Sequence, residues 1–247
     1  MPDFLTAGLD PISVLLLFGA SFAGSFTTVA LGIGGGAFLL AIMASLLPPA
    51  ALIPVHGVIQ LGSNGLRAVL FWKLALWSTF WPFLAGTVVG VALGGVIAVE
   101  LPVAWVQIGI GGFILWSVLG RAPAVMSRWP AVTGGISSFL TMFFGATGVF
   151  VANYVRTLNL PKDQHVATHA VFMTVQHLLK IVAFGILGFA FAPWLGFIAG
   201  MIGFGFLGTL LGRHVLIRID EVTFRRGLSA ILILLALRLI WQGSRAL

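Results

Sequence analysis

The side chains best able to hold an anion lie inside apolar sequence. The run "ALIPVHGVIQLGSNGLRAVLFW" carries His56, Gln60, Ser63, Asn64 and Arg67. At about 100° per residue on a helix, all five fall within one sector of roughly 100°. A second run, "HVATHAVFMTVQHLLKIVAF", places His169, Gln176, His177 and Lys180 in a similar stripe. Two such polar faces are expected to point toward each other or toward a shared aqueous cavity. Cations, imidazoles and amides can donate several hydrogen bonds to one bound group. Histidine titrates near neutrality, so His169 and His177 are also candidates for carrying a coupling proton.

The acids decide what that group would be. An Arg or Lys in mid-span costs about 2.5–3.5 kcal/mol even on the lenient insertion scale. The usual remedy is a carboxylate. All six acids here, Asp3, Asp10, Glu100, Asp163, Asp220 and Glu221, lie at the terminus, in loops or at segment ends. The expected partner of Arg67 and Lys180 is therefore a bound anion. Plainer roles compete with this one. Arg67 could snorkel to the headgroups from about two turns inside its helix. The histidines could be satisfied core groups, and Gln60, Asn64 and Gln176 could be interhelical glue.

Other chemistries find little support. His165 and His169 have the i,i+4 spacing of metal ligands, but no carboxylate or cysteine joins them on that face. The chain has no cysteine, which excludes disulfides and thiol catalysis. Gly32 to Ala37 satisfies G-x-G-x-x-A but follows no β-strand. Walker A is absent, and Ser63 near His56 has no acid to orient the histidine. No enzyme, cofactor or metal is expected.

The elements that must position these residues are membrane helices. Of 247 residues, 60% are hydrophobic and 8% charged, against about 25% charged in soluble domains. The net charge of +7 belongs to short loops and does not indicate nucleic-acid binding. Ten apolar segments run near 12–31, 35–47, 51–71, 75–98, 103–119, 131–145, 147–158, 164–189, 194–213 and 223–241. The first has no basic region before it and is expected to be retained as a span. The second and seventh are short for a bilayer and are expected to be half-helices or re-entrant arms. Lys73, Arg121, Arg128, Arg156, Lys162 and the run from Arg213 to Arg226 fall on one side, and Asp3, Asp10 and Glu100 on the other. The positive-inside rule puts the basic side in the cytoplasm and both termini outside, with Arg245 as the exception. Seven tryptophans near segment ends, from Trp72 to Trp241, fit an interfacial belt.

A repeat ties the two stripes together. At an offset of 113 residues Gly32 meets Gly145, Gly35 meets Gly148, Pro48 meets Pro161, His56 meets His169, Arg67 meets Lys180 and Gly90 meets Gly203. Each half holds five segments, an odd number, so the halves insert with opposite orientation. The expected fold is an all-α integral membrane protein of two inverted-topology repeats, 1–121 and 122–247, forming one membrane domain. Such repeats are the architecture of many secondary transporters. The glycine-rich runs, Gly32 to Gly36 and the weaker Gly145–Thr147–Gly148, would be the tips of short broken helices. Gly34, Gly35, Gly36, Gly145, Thr147 and Gly148 would offer backbone N–H groups to the same anion.

Gly32, Gly34, Gly35 and Gly36, then Pro48 and Pro49, then a polar-faced helix reaching Arg67, resemble the sulfite exporter TauE/SafE family. The second half repeats the pattern in "FFGATGVFVANYVRTLNLP" and "ATHAVFMTVQHLLKIVAFGILG". The resemblance covers nearly the whole chain. It implies secondary transport, chiefly export, of small sulfur-containing anions such as sulfite or organosulfonates across a bacterial inner membrane. A passive anion channel is the alternative. A non-transporting membrane enzyme or accessory subunit is a more distant one.

Overall fold

A computed structural model describes residues 2–31, 34–98, 102–120, 128–215 and 221–247. Gly32, Glu100, Arg121 and Asp220, invoked above, lie outside these residues, as does the boundary between the two halves at 121 and 122. The side chains of Lys162, Arg213 and Glu221 also lie outside the description.

The described residues form α1 (Asp3–Thr6), α2 (Pro11–Leu31), α3 (Gly35–Leu46), α4 (Pro49–Phe71), α5 (Phe80–Ala98) and α6 (Val103–Leu119). The second half contributes α7 (Pro130–Phe144), α8 (Gly148–Thr157), α9 (Lys162–Ile186), α10 (Leu195–Val215) and α11 (Glu221–Arg245). Each of the ten apolar segments has become a helix, and no strand occurs among the described residues. The starts follow local chemistry. Asp10 accepts the Ser13 backbone N–H at 2.9 Å and so caps α2, and hydrogen bonding to the Ser13 side chain and backbone holds its carboxyl below the usual range. Prolines at Pro48, Pro102 and Pro161 precede α4, α6 and α9, and Pro130 opens α7. The fourth segment begins later than expected. Residues 72–79 form two 3-10 turns, where the Leu76 N–H donates to Thr168 Oγ1 at 2.9 Å.

Among the described residues, five helical stretches are long and apolar enough to cross a membrane: Pro11–Thr28, Trp77–Ile97, Asp163–Ile186, Ala192–Gly212 and Arg226–Arg245. α4 has 23 residues, but its polar stripe dilutes its apolar character. At 1.5 Å per residue, α3 extends about 18 Å and α8 about 15 Å, against a hydrocarbon core of about 30 Å. α7 was expected to be an ordinary span, yet its 15 residues reach only about 22 Å. The α2–α3 junction turns at Gly34 (φ +100°) and the α7–α8 junction at Gly145 (φ +70°). A side chain is strained in either conformation.

The principal helix pairs are α2 with α10, α5 with α7, α4 with α9 and α6 with α11. Exchanging the halves turns the first pair into the second and leaves the other two unchanged. Helix limits recur at the 113-residue offset. α2 and α7 end at Leu31 and Phe144, α3 and α8 begin at Gly35 and Gly148, and α4 and α9 begin at Pro49 and Lys162. Both outer pairs close on glycine. Gly86 and Gly90 of α5 lie against the α7 backbone at Ala131 and Gly135, and Gly208 of α10 lies against Phe22 of α2. Trp72, Trp77, Trp81, Trp105, Trp129 and Trp241 are exposed, as a belt requires.

A Cβ at Gly90 would lie 2.9 Å from Phe139 N, whereas one at Gly112 would meet nothing within 4 Å. Gly90→Val is expected to lower stability by about 1–3 kcal/mol. Gly112→Ala should leave it unchanged or raise it by up to about 1 kcal/mol. Thermal unfolding of the purified protein in detergent measures both, and equal stability of the two variants would refute the close α5–α7 packing.

Candidate functional site

A cavity of about 250 Å³ lies where the two halves meet. It draws its walls from the second half of α4, the last turns of α2 and α6, the middle of α9, the first half of α11 and both glycine tips. Nine of the expected residues line it: Gly34, Gly36, Gln60, Asn64, Arg67, Gly145, Gly148, His169 and His177. Gly35, His56, Thr147, Gln176 and Lys180 do not line it and stand behind its walls.

Arg67 is the charged group of the cavity wall. Its Nε donates to Ser63 O at 3.2 Å and its Nη2 to Asn64 Oδ1 at 3.0 Å. Asn64 Nδ2 in turn donates to Gln60 O at 2.8 Å. All these acceptors are neutral, so they orient the guanidinium without balancing its charge. The side chain folds back along α4 and faces the cavity.

The tips supply the second positive feature. α3 starts from Gly34, which has no side chain to cap it, and α8 from Thr147, whose side chain does not bond to its own helix. The first-turn N–H groups of a helix have no intrahelical acceptor and carry the positive end of its dipole. Both helices begin at the cavity wall, at Gly34, Gly36, Gly148 and Val149.

The residues behind the wall hold the tips in place. His56 Nε2 donates to Gly36 O at 3.2 Å, and His169 Nε2 donates to Gly148 O at 3.4 Å. A carbonyl can only accept, so this nitrogen carries the proton in each. Each long helix is thereby tied to the first turn of the short helix of its own half. Gln176 Nε2 donates to Thr147 Oγ1 at 2.7 Å and to Ser137 O at 3.3 Å, which fixes the second tip to α7 and α9. Gly35 abuts the α2 backbone at Gly24, and Gln60 lies on Gly36 where a Cβ would stand. Lys180 packs against Gly57, where an added Cβ would lie 2.7 Å from its Cε. Its Nζ, His56 Nδ1 and both ring nitrogens of His177 are buried without a hydrogen-bond partner among the described residues. The His56 and His177 rings stand edge to face at 6.4 Å.

Sequence reasoning passed over part of the lining. Thr28, Ser117 and Ser229 add hydroxyls, while Val118, Val149, Met173, Leu228 and Leu232 make an apolar wall opposite α4. The hydroxyls are single polar residues in apolar helices, a pattern that also fits back-bonding to the preceding turn. Thr28 and Ser117 do make such bonds, at 3.0 Å and 2.8 Å.

The profile of the sulfite exporter TauE/SafE family matches residues 16–239. The chain belongs to this family. No curated protein and no solved structure matches it. The matched region runs from α2 into α11 and takes in both tips, Arg67 and Lys180. As a TauE/SafE protein it is a multi-pass membrane protein of a transporter family, in keeping with its five apolar helices.

Gln176→Met keeps the side-chain length but strands Thr147 Oγ1 and Ser137 O. A loss of about 1–3 kcal/mol of stability is expected, the usual cost of unsatisfied buried partners. Thermal unfolding measures it, and wild-type stability would show that the second tip does not depend on this residue.

Proposed function

We propose that this protein is a secondary transporter of small sulfur-containing anions, exporting sulfite or organosulfonates across a bacterial inner membrane. The observation that carries the reading is Arg67, a cavity-lining guanidinium whose hydrogen bonds all go to neutral oxygens. A sulfonyl group would supply the missing charge. Asn64, Gln60 and His177 would donate to its oxygens, as would the first-turn amides of α3 and α8; His169, whose Nε2–H is committed to Gly148 O, would join them only as an imidazolium. The cavity has room for roughly eight waters at about 30 Å³ each. A bare oxyanion leaves part of that space free, and the wall of Val118, Met173, Leu228 and Leu232 suits the carbon portion of an organosulfonate.

The two halves, 1–121 and 122–247, act as inverted repeats that rock about the site. The recurring helix limits and the exchange-symmetric pairing support this. Lys73 and Arg128 stand at the end from which the cavity is built, so the positive-inside rule makes this an inward-facing form with both termini outside. A proton is the candidate coupling ion, with His177 on the cavity wall as its candidate carrier.

Arg67→Gln is expected to weaken binding of radiolabelled sulfite or sulfoacetate to the purified protein at least about tenfold, by loss of a charge-assisted contact. Wild-type affinity in that variant would remove Arg67 from the site. In proteoliposomes the wild type should accumulate one of these anions against its gradient when a proton gradient is imposed. Flux that never concentrates substrate would indicate a channel. Because the chain has no cysteine, Lys73→Cys and Asp10→Cys each introduce a single thiol. An impermeant maleimide should reach the first only from the cytoplasmic face and the second only from the outer face.

A further inference from the structure

The cavity is lopsided. Residues near the centre pair up across the repeat, and both members of each pair line it. Gln60 corresponds to Met173, and Asn64 to His177, at the 113-residue offset. Farther out the correspondence fails. Thr28, Arg67 and His169 line the cavity, but their counterparts Thr141, Lys180 and His56 are each 0% exposed.

The counterparts keep the features of a site while lacking its space. Arg67 acts electrostatically on His169, and Lys180, packed against Gly57, acts likewise on His56. Each of these histidines ties a short helix through a first-turn carbonyl. Lys180 Nζ and His56 Nδ1 are buried with no hydrogen-bond partner. An orphaned amino group in a closed interior costs free energy that the fold would avoid if the position had only a packing role. Thr141 is buried and donates to Gly145 O at 3.1 Å, whereas its counterpart Thr28 lines the cavity.

We propose that Lys180, His56 and Thr141 form a second anion half-site, closed in this structure and opened toward the opposite membrane face when the halves rock. Lys180 then takes the place in the outward-facing state that Arg67 has in this one. The sulfonyl group stays near the centre, between Asn64 and His177, and exchanges one cation for the other. A transporter so built needs no carboxylate in the membrane, because each cation is open to the anion in its turn. The inference rests on the anion-transport reading above.

Two nearly isosteric substitutions test it in this cysteine-free chain. Thr28→Cys should react with an impermeant maleimide from the Lys73 face of proteoliposomes. Thr141→Cys, at a position buried in this structure, should react from the opposite face. Failure of the Thr141→Cys variant to label, in liposomes that exchange radiolabelled sulfite, would overturn the second half-site. Lys180→Gln should slow sulfite exchange about tenfold or more, as loss of a charge-assisted contact does. Wild-type exchange in that variant would overturn the proposal even where Thr141→Cys is labelled. Should Lys180→Gln fail to fold, the labelling of Thr141→Cys decides alone. A wild-type protein that exchanges neither sulfite nor sulfoacetate counts instead against anion transport itself.

Discussion

A polar group inside a bilayer must find its partner in the protein or in whatever the protein binds, because lipid supplies none. Most of this structure follows from that requirement. The backbone breaks at Gly34 and Gly145 fall where they line a cavity. The amides of the stripes turn to neighbouring carbonyls and hydroxyls, as with Gln176 to Thr147 and Asn64 to Gln60. Among the described residues, the groups left unmatched are the Ser138 hydroxyl, Lys180, His177 and one nitrogen of His56, while Arg67 has neutral partners only. A bound anion would balance the Arg67 charge.

The short helices are the device that brings backbone donors to the cavity wall. A spanning helix keeps its N-terminal amides at the membrane surface. A helix of 12 or 10 residues can begin in the interior, as α3 and α8 do. His56 and His169 secure the first turns of these helices. Their role is therefore partly structural, although His169 also faces the cavity. Tight glycine seams between α5 and α7, and between α2 and α10, hold the outer helices against backbone. The central pairs, α4 with α9 and α6 with α11, are left to enclose the cavity.

Much of this was legible in the chain. The ten helices could be read because apolar runs and flanking prolines are local signals, as at Pro48 and Pro161. The short α3 and α8 followed from length alone. The late start of α5 was not legible, because the turns before it are held by Thr168, 92 residues away in sequence. The shortness of α7 was missed since its 15 residues look like a span when depth is unknown.

By itself the sequence determined the membrane class, the family, the two polar stripes, the glycine tips and the lack of an internal counter-charge. Each depends on composition, spacing or repetition, which survive without coordinates. Tertiary structure alone decided which members of a stripe meet the cavity. Arg67 and Lys180 hold matching places on their helices, and helical periodicity treats them alike. One lines the cavity and the other is sealed against Gly57, because the two halves pack asymmetrically about their junction. A helical wheel fixes direction around an axis, but depth and neighbours come from the other half of the chain.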